Sequence, residues 1–299
     1  MPTSFLRLTL SVFIPFVAFA TFTASAAPPA PKGTLVIVGG GERSLDVMQR
    51  FIQLAGGQKK ARIAVLPMAS EDAAEAGREM VAELDSMGAR AYMVLLTRAE
   101  AETDAGAGLL DSATGIWFSG GDQDKLAAAI GGTAVLRAVH ARYVAGAAVG
   151  GTSAGAAVMS DSMITGNQTP PGDTTGYYGD EFPAIARNRI QVVPGFGFLT
   201  TGIVDQHFIK RERHNRLLSA VLERPYLIGV GIDEGTALEV DPDGRWRVLG
   251  KSAVIVCDAR KAHVTPKERA VLGATEIRLH VLPSGSTFDP KTGRGVLSP

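Results

Sequence analysis

Short apolar runs recur along this chain, each followed by a stretch whose apolar residues fall three to four positions apart. Leu35-Val36-Ile37-Val38 is the first run, and Leu45, Val47, Met48, Phe51 and Ile52 follow at helical spacing. Arg62 to Pro67 predicts the next strand, and an acidic, Ala-rich helix follows from about Glu71 to Met87. Arg90 to Leu96 and Gly115-Ile116-Trp117-Phe118 predict two more strands. Helices are expected from about Lys125 and from about Ala134 to Arg142, and Val144 to Val149 then reads as a fifth strand.

Strands that alternate with helices predict a parallel sheet covered by helices on both faces, a three-layer α/β/α arrangement. In such sheets ligands bind beyond the carboxyl ends of the strands. Three of those ends carry glycine: Gly39-Gly40-Gly41, Gly120-Gly121 and Gly150-Gly151. These loops are expected to converge. From Gly166 to Phe198 the chain is rich in Gly, Pro and Tyr with little periodicity, and loops of that length are usually functional. From Tyr226 onward, short strands and turns such as Pro242-Asp243-Gly244 predict β hairpins added to the same domain.

The sharpest local signal is Gly151-Thr152-Ser153-Ala154-Gly155, a Gly-x-Ser-x-Gly pattern between a strand and a helix start. A serine on so tight a turn needs neighbours without side chains. The turn presents the Ser153 hydroxyl, and the N–H of Ala154 at the helix start can face a developing oxyanion. A serine nucleophile also needs a base. Of the five histidines, His207 has the best context, in Val204-Asp205-Gln206-His207-Phe208. The base needs an orienting acid. The apolar run Tyr226 to Ile232 ends in Asp233-Glu234; one carboxylate can reach the histidine and the other is expected to be a solvated rim charge. The resulting order, Ser153, His207, Glu234, differs from that of α/β-hydrolases, where the acid precedes the histidine. Lys210, Arg211, Arg213 and Arg216 follow the candidate base closely. That placement favours carboxylate recognition over a solvated basic helix face.

Composition adds bounds. The 299 residues are 45% hydrophobic and 20% charged, with formal net charge +0, so no global field recruits nucleic acid or an anionic membrane. The single cysteine, Cys257, excludes an intramolecular disulfide and is expected to be buried. No His-Glu-x-x-His or paired-Cys spacing suggests a metal, and the glycines after the first strand lack the third glycine of a dinucleotide fingerprint. Arg7, the apolar stretch Leu8 to Phe22 and Ala24-Ser25-Ala26 predict a cleaved secretory signal over residues 1–26, with no membrane segment afterwards. The mature domain would be 27–299, secreted or periplasmic.

Together, Gly39-Gly40-Gly41, Phe118 to Gln123, Gly150 to Ala156, Asp205 to Phe208 with its arginines, and Gly231 to Glu234 resemble the cyanophycinases. These belong to a serine peptidase family that also contains aspartyl dipeptidases. The resemblance spans nearly all of the mature chain. It implies a flavodoxin-like or class I glutamine-amidotransferase-like fold with a mostly parallel sheet. It also implies a Ser-His-Glu triad at Ser153, His207 and Glu234. Oxyanion donors would be Ala154 with Gly120 or Gly121, and no cofactor is needed. Gln123, Asp205, Gln206, Arg211, Arg213 and Arg216 match positions that shape the family's substrate pocket. The implied substrate is cyanophycin, a polyaspartate bearing arginine on each side-chain carboxyl, released as β-Asp-Arg dipeptides. Asp173, Asp180 and Glu181 are candidates to hold its guanidinium, and a homodimer is a further implication. The rival readings are an aspartyl dipeptidase acting on Asp-X peptides and a non-catalytic binding protein on the same scaffold.

Overall fold

The structure, a computed structural model, describes residues 1, 30–168, 182 and 184–298. The expected signal segment, apart from Met1, and Asp173, Asp180 and Glu181 lie outside the described residues.

Strand β1 (Leu35–Val38) is followed by helix α1 (Leu45–Leu54), β2 (Arg62–Leu66), α2 (Ala73–Ser86) and β3 (Arg90–Met93). Two short helices, α3 (Arg98–Ala101) and α4 (Asp104–Gly108), precede β4 (Gly115–Phe118). Helices α5 (Gln123–Ile130) and α6 (Ala134–Ala145) lead to β5 (Ala148–Thr152), and the short α7 (Ala154–Ala157) follows directly. Next come β6 (Ser162–Gln168), β7 (Ile190–Pro194), β8 (Gly202–Gln206), α8 (His214–Glu223) and β9 (Ile228–Ile232). The remaining elements are strands: β10 (Thr236–Val240), β11 (Trp246–Gly250), β12 (Ala253–Asp258), β13 (His263–Val264), β14 (Ala274–Thr275), β15 (Arg278–Pro283), β16 (Thr287–Asp289) and β17 (Arg294–Val296).

The main sheet has nine strands in the order β17-β16-β11-β10-β1-β5-β4-β2-β3. The run from β1 to β3 is parallel, and β10, β11, β16 and β17 continue it antiparallel. Strand β1 shows why it sits between layers. Val36 and Val38 pack with Val47, Met48 and Phe51 of α1, whereas Leu35 and Ile37 join the core shared with α5, α6 and α7. Successive side chains point to opposite faces, so a strand buried on both sides must be apolar throughout.

Side-chain caps set several helix starts. Asp72 accepts from Glu75 N, Asp122 from Asp124 N and Thr133 from Leu136 N. Gly146, at φ 121°, ends α6 later than the periodicity suggests, so β5 begins at Ala148 rather than Val144. Strand β3 stops at Met93, short of the expected Leu96.

The C-terminal half departs from simple hairpins. The hairpin β10–β11 is present, but β9 leaves the main sheet for a second one ordered β15-β12-β9-β8. Val230 and Ile232 of β9 and Val254 and Val256 of β12 face the core shared with the main sheet. Ile203, Ile255 and Cys257 face α8 instead. Gly229 and Gly231 occupy that outer face because a Cβ at 229 would stand 3.1 Å from Leu217 Cγ, and one at 231 would overlap the Phe208 ring. The alternation Ile-Gly-Val-Gly-Ile thus seats α8 close to the sheet. The aperiodic stretch from Gly166 holds the end of β6 and all of β7, its antiparallel partner.

Candidate active site

Ser153 stands where β5 meets α7, with φ 53° and ψ −110°. Such a conformation costs a non-glycine residue on the order of 1–3 kcal/mol and persists only where neighbours enforce it. Here the enforcement is visible. Ser153 N donates to Val38 O at 3.0 Å, tying the elbow to β1. A Cβ at Gly155 would stand 2.7 Å from Phe118 C, and one at Gly151 would stand 2.7 Å from Gly155 C. Only glycine lets the turn close between β4 and β5.

His207 follows β8 and has φ 48°. Its backbone N donates to Gly39 O at 2.7 Å. Its Nε2 lies 2.8 Å from Ser153 Oγ, and its Nδ1 lies 2.6 Å from Glu234 Oε1. The three residues therefore meet, although 54 positions separate serine from histidine and 27 separate histidine from glutamate. Burial of His207 disfavours its charged form and lowers its pKa; the hydrogen bond it donates to Glu234 opposes this, and the positive fields of Arg211 and Arg213 add to the lowering. A neutral imidazole with Nδ1–H donating to the carboxylate leaves Nε2 free to accept the serine proton.

The glycine triplet after β1 floors this array. Gly40 has φ 105°, and a Cβ there would overlap the His207 ring. Gly41 has φ 68°, and a Cβ there would stand 2.8 Å from Glu234 Cβ and 2.9 Å from its Oε2. Gly235 N donates to Gly40 O at 3.0 Å. The loop's glycines serve the histidine and the glutamate directly. Their position after a strand marks the loop in the sequence, but not what would lie above it.

Asp233 corrects the expectation of a solvated rim charge: it is 9% exposed. Its Oδ1 accepts from Ile209 N at 3.1 Å and Lys210 N at 3.0 Å, and its Oδ2 accepts from Ser252 Oγ at 2.7 Å. Asp233 thus pins the turn that follows His207, while Glu234 takes the imidazole.

Among the described residues, the amide groups of Gly120, Gly121 and Ala154 find no hydrogen-bond acceptor. A Cβ on Gly120 would lie 3.5 Å from Ser153 Cβ, so this backbone passes beside the nucleophile. Gly121 has φ 135° and turns the chain against Ala69.

The basic cluster does not form a solvated helix face. Arg216 is buried and grips the buried Asp205: Nε donates to Oδ2 at 2.8 Å and Nη2 donates to Oδ1. Its guanidinium also lies 5.1 Å from the centre of the Phe182 ring. Arg213 is buried too and donates from Nη1 to Gln206 O at 2.9 Å. Lys210 and Arg211 are exposed. Gln123, buried at the start of α5, donates to Ile164 O at 3.1 Å and so anchors β6. Gln206 is buried, and its Oε1 accepts from Arg216 Nη2 at 3.4 Å.

Two cavities open at Ser153. One, of about 330 Å³, is lined by Gln123, Gln206, Arg211, Arg213 and Arg216 together with the acidic Asp122 and Asp124. Burial and the nearby Asp122 raise the Asp124 pKa. The other, of about 280 Å³, lies on the Gly40 side of the nucleophile.

The other histidines stand apart from Ser153. His140 Nε2 lies 2.7 Å from Phe196 O and its ring stacks on Phe198 at 4.2 Å. His214 packs against Phe208 and His280 against Phe288, and His263 is exposed.

Known proteins place the chain in a family. The sequence profile of peptidase family S51 matches residues 35–247. The chain is 36% identical over 273 residues to a cyanophycinase of Synechococcus elongatus, covering 87% of this chain and 80% of that protein. It is 33% identical over 273 residues to a cyanophycinase of Trichormus variabilis, covering 87% of each. A cyanophycinase of Geminocystis herdmanii is 32% identical over 271 residues, covering 87% of this chain and 95% of that protein. The crystal structure of a peptidase from an acI-B1 Actinobacterium superposes with TM-score 0.61 at 21% identity, covering 90% of this chain and 98% of that one; it shares the fold. The chain belongs to peptidase family S51, a family of serine peptidases.

Proposed function

We propose that this S51 serine peptidase hydrolyses cyanophycin and releases β-Asp-Arg dipeptides. The observation that carries the reading is the cavity beside Ser153, lined by both arginines and aspartates. Each unit of the polymer carries carboxylate and guanidinium together, and a cavity of mixed charge complements both. Relatives at 32–36% identity that bear the name cyanophycinase support the same substrate.

In the proposed mechanism, neutral His207 takes the proton of Ser153 Oγ, and the oxygen attacks the scissile carbonyl. The N–H of Ala154, with that of Gly120 or Gly121, stabilises the oxyanion. His207 then gives its proton to the leaving amine. Water, activated by the same imidazole, releases the acyl group. Glu234 holds the ring in the productive tautomer throughout.

The leader-like residues 1–26 support action outside the cytoplasm, in the periplasm or the medium. Fractionation of cells expressing the full chain tests this: retention of uncleaved protein in the cytoplasm would contradict it.

The decisive assay offers insoluble cyanophycin and Asp-X dipeptides to the protein and identifies products by mass. The expected result is β-Asp-Arg from the polymer, with a loss of roughly 10⁴-fold or more in Ser153→Ala. Undiminished release by that variant, or turnover of Asp-X peptides alone, overturns the reading.

A further inference from the structure

We propose that the cavity on the Gly40 side of Ser153 is a second substrate subsite. It takes the arginyl side chain of the unit across the scissile bond, with Glu79 holding the guanidinium. The proposal rests on the cyanophycin reading. A bond broken at Ser153 joins two like units, and two separate cavities open at that residue.

The second cavity, of about 280 Å³, includes Ser153 and His207 in its wall. Met80 and Trp117 give it an apolar side on which the methylenes of an arginine can lie. Glu79 stands on its rim, one turn along α2 from Glu75 and one turn from Glu83. Those neighbours are neutralised, Glu75 by Arg78 and Glu83 by Arg43. Glu79 has no ion-pair partner among the described residues. The row therefore presents one uncompensated carboxylate, at the position that borders the cavity.

Two lining residues carry polar atoms that no protein group satisfies. Trp117 Nε1 and Ser119 Oγ are buried and have no hydrogen-bond partner. Trp117 is 0% and Ser119 7% exposed. Buried polar groups left unsatisfied are rare in native proteins. An indole N–H only donates, so what it lacks is an acceptor. Arginine joined through its amino group to an aspartate side chain keeps a free carboxylate. One polymer unit thus supplies a cation for Glu79 and acceptor oxygens for Trp117 and Ser119.

The test uses dimers of β-Asp-Arg in which citrulline, a neutral near-isostere, replaces arginine in the first or in the second unit. Wild-type protein is expected to prefer arginine at both. In Glu79→Gln, about tenfold of that preference should disappear at one unit only, with KM for the all-arginine dimer raised and kcat nearly unchanged. Glu79→Lys should widen the effect at the same unit. Full preference retained at both units, or weakened alike at both, overturns the subsite. Wild-type protein inert on cyanophycin and on the dimer instead overturns the substrate reading, and the subsite falls with it.

Discussion

Gly40 lies directly beneath His207. A Cβ at Gly40 would overlap the imidazole, standing 2.9 Å even from Nδ1, the farthest of the three ring atoms it would meet. The glycine loop after β1 is therefore part of what places the base. Gly40→Ala also meets an unfavourable backbone, since φ is 105°. The expected outcome is a fall in kcat of about 100-fold from a displaced ring. Steady-state kinetics beside a thermal melt checks this: an unchanged kcat in a folded variant contradicts the role.

The acid limb of kcat/KM should lie below the ordinary histidine pKa of 6.5, because burial lowers that of His207. The base works only when neutral, so activity is lost as pH falls through that value. Arg211 disfavours the imidazolium, so Arg211→Gln should move the limb to higher pH. Glu234 favours the imidazolium, so Glu234→Gln should move the limb lower while reducing the rate. Shifts in the opposite directions in pH–rate profiles would rule out this assignment of charges.

The Asp205–Arg216 pair is buried at both ends, with side chains 0% and 2% exposed. Arg216→Met removes the bidentate partner of a buried carboxylate, leaving it, among the described residues, only Arg213 Nη1 at 3.9 Å, and should cost about 3 kcal/mol. Replacing both, as Asp205→Leu with Arg216→Met, should recover much of that stability. Denaturant unfolding of the single and double variants measures the coupling; additive losses would show that the pair does not act as a unit.

Cys257 is buried on β12, and burial pushes its thiol pKa up to about 11. A maleimide at pH 7 should label the native protein slowly and the denatured protein at once. Rapid native labelling, followed by mass, would place this strand nearer the surface than the structure does.

Much of the parallel half was legible from the chain itself. Leu35 to Val38 and Gly115 to Phe118 are buried on both faces, so they had to be apolar at every position, and the runs stand out. The elbow was legible for a similar reason: glycine at 151 and 155 is required by backbone contacts only a few residues away. The second sheet was not. Ile228 to Ile232 looks like any buried strand, and nothing within it says which neighbour it will pair with. Its glycines carry meaning only once α8 and Phe208 lie against them.

The sequence by itself determined the succession of the five parallel strands with helices α1, α2, α5 and α6, the serine at the elbow and the shortlist of partners for it. Those depend on local periodicity and on turn sterics, which a few consecutive residues specify. Residue pattern left Asp233 and Glu234 open and only the family resemblance pointed to Glu234; the tertiary structure shows Glu234 reaching His207 and decides that Asp233 is spent on the amides of Ile209 and Lys210. Adjacent residues at a strand end point in different directions. Which of them meets a histidine 27 positions away depends on how β8, β9 and the glycine loop are packed together, and that is set by contacts distant in the chain.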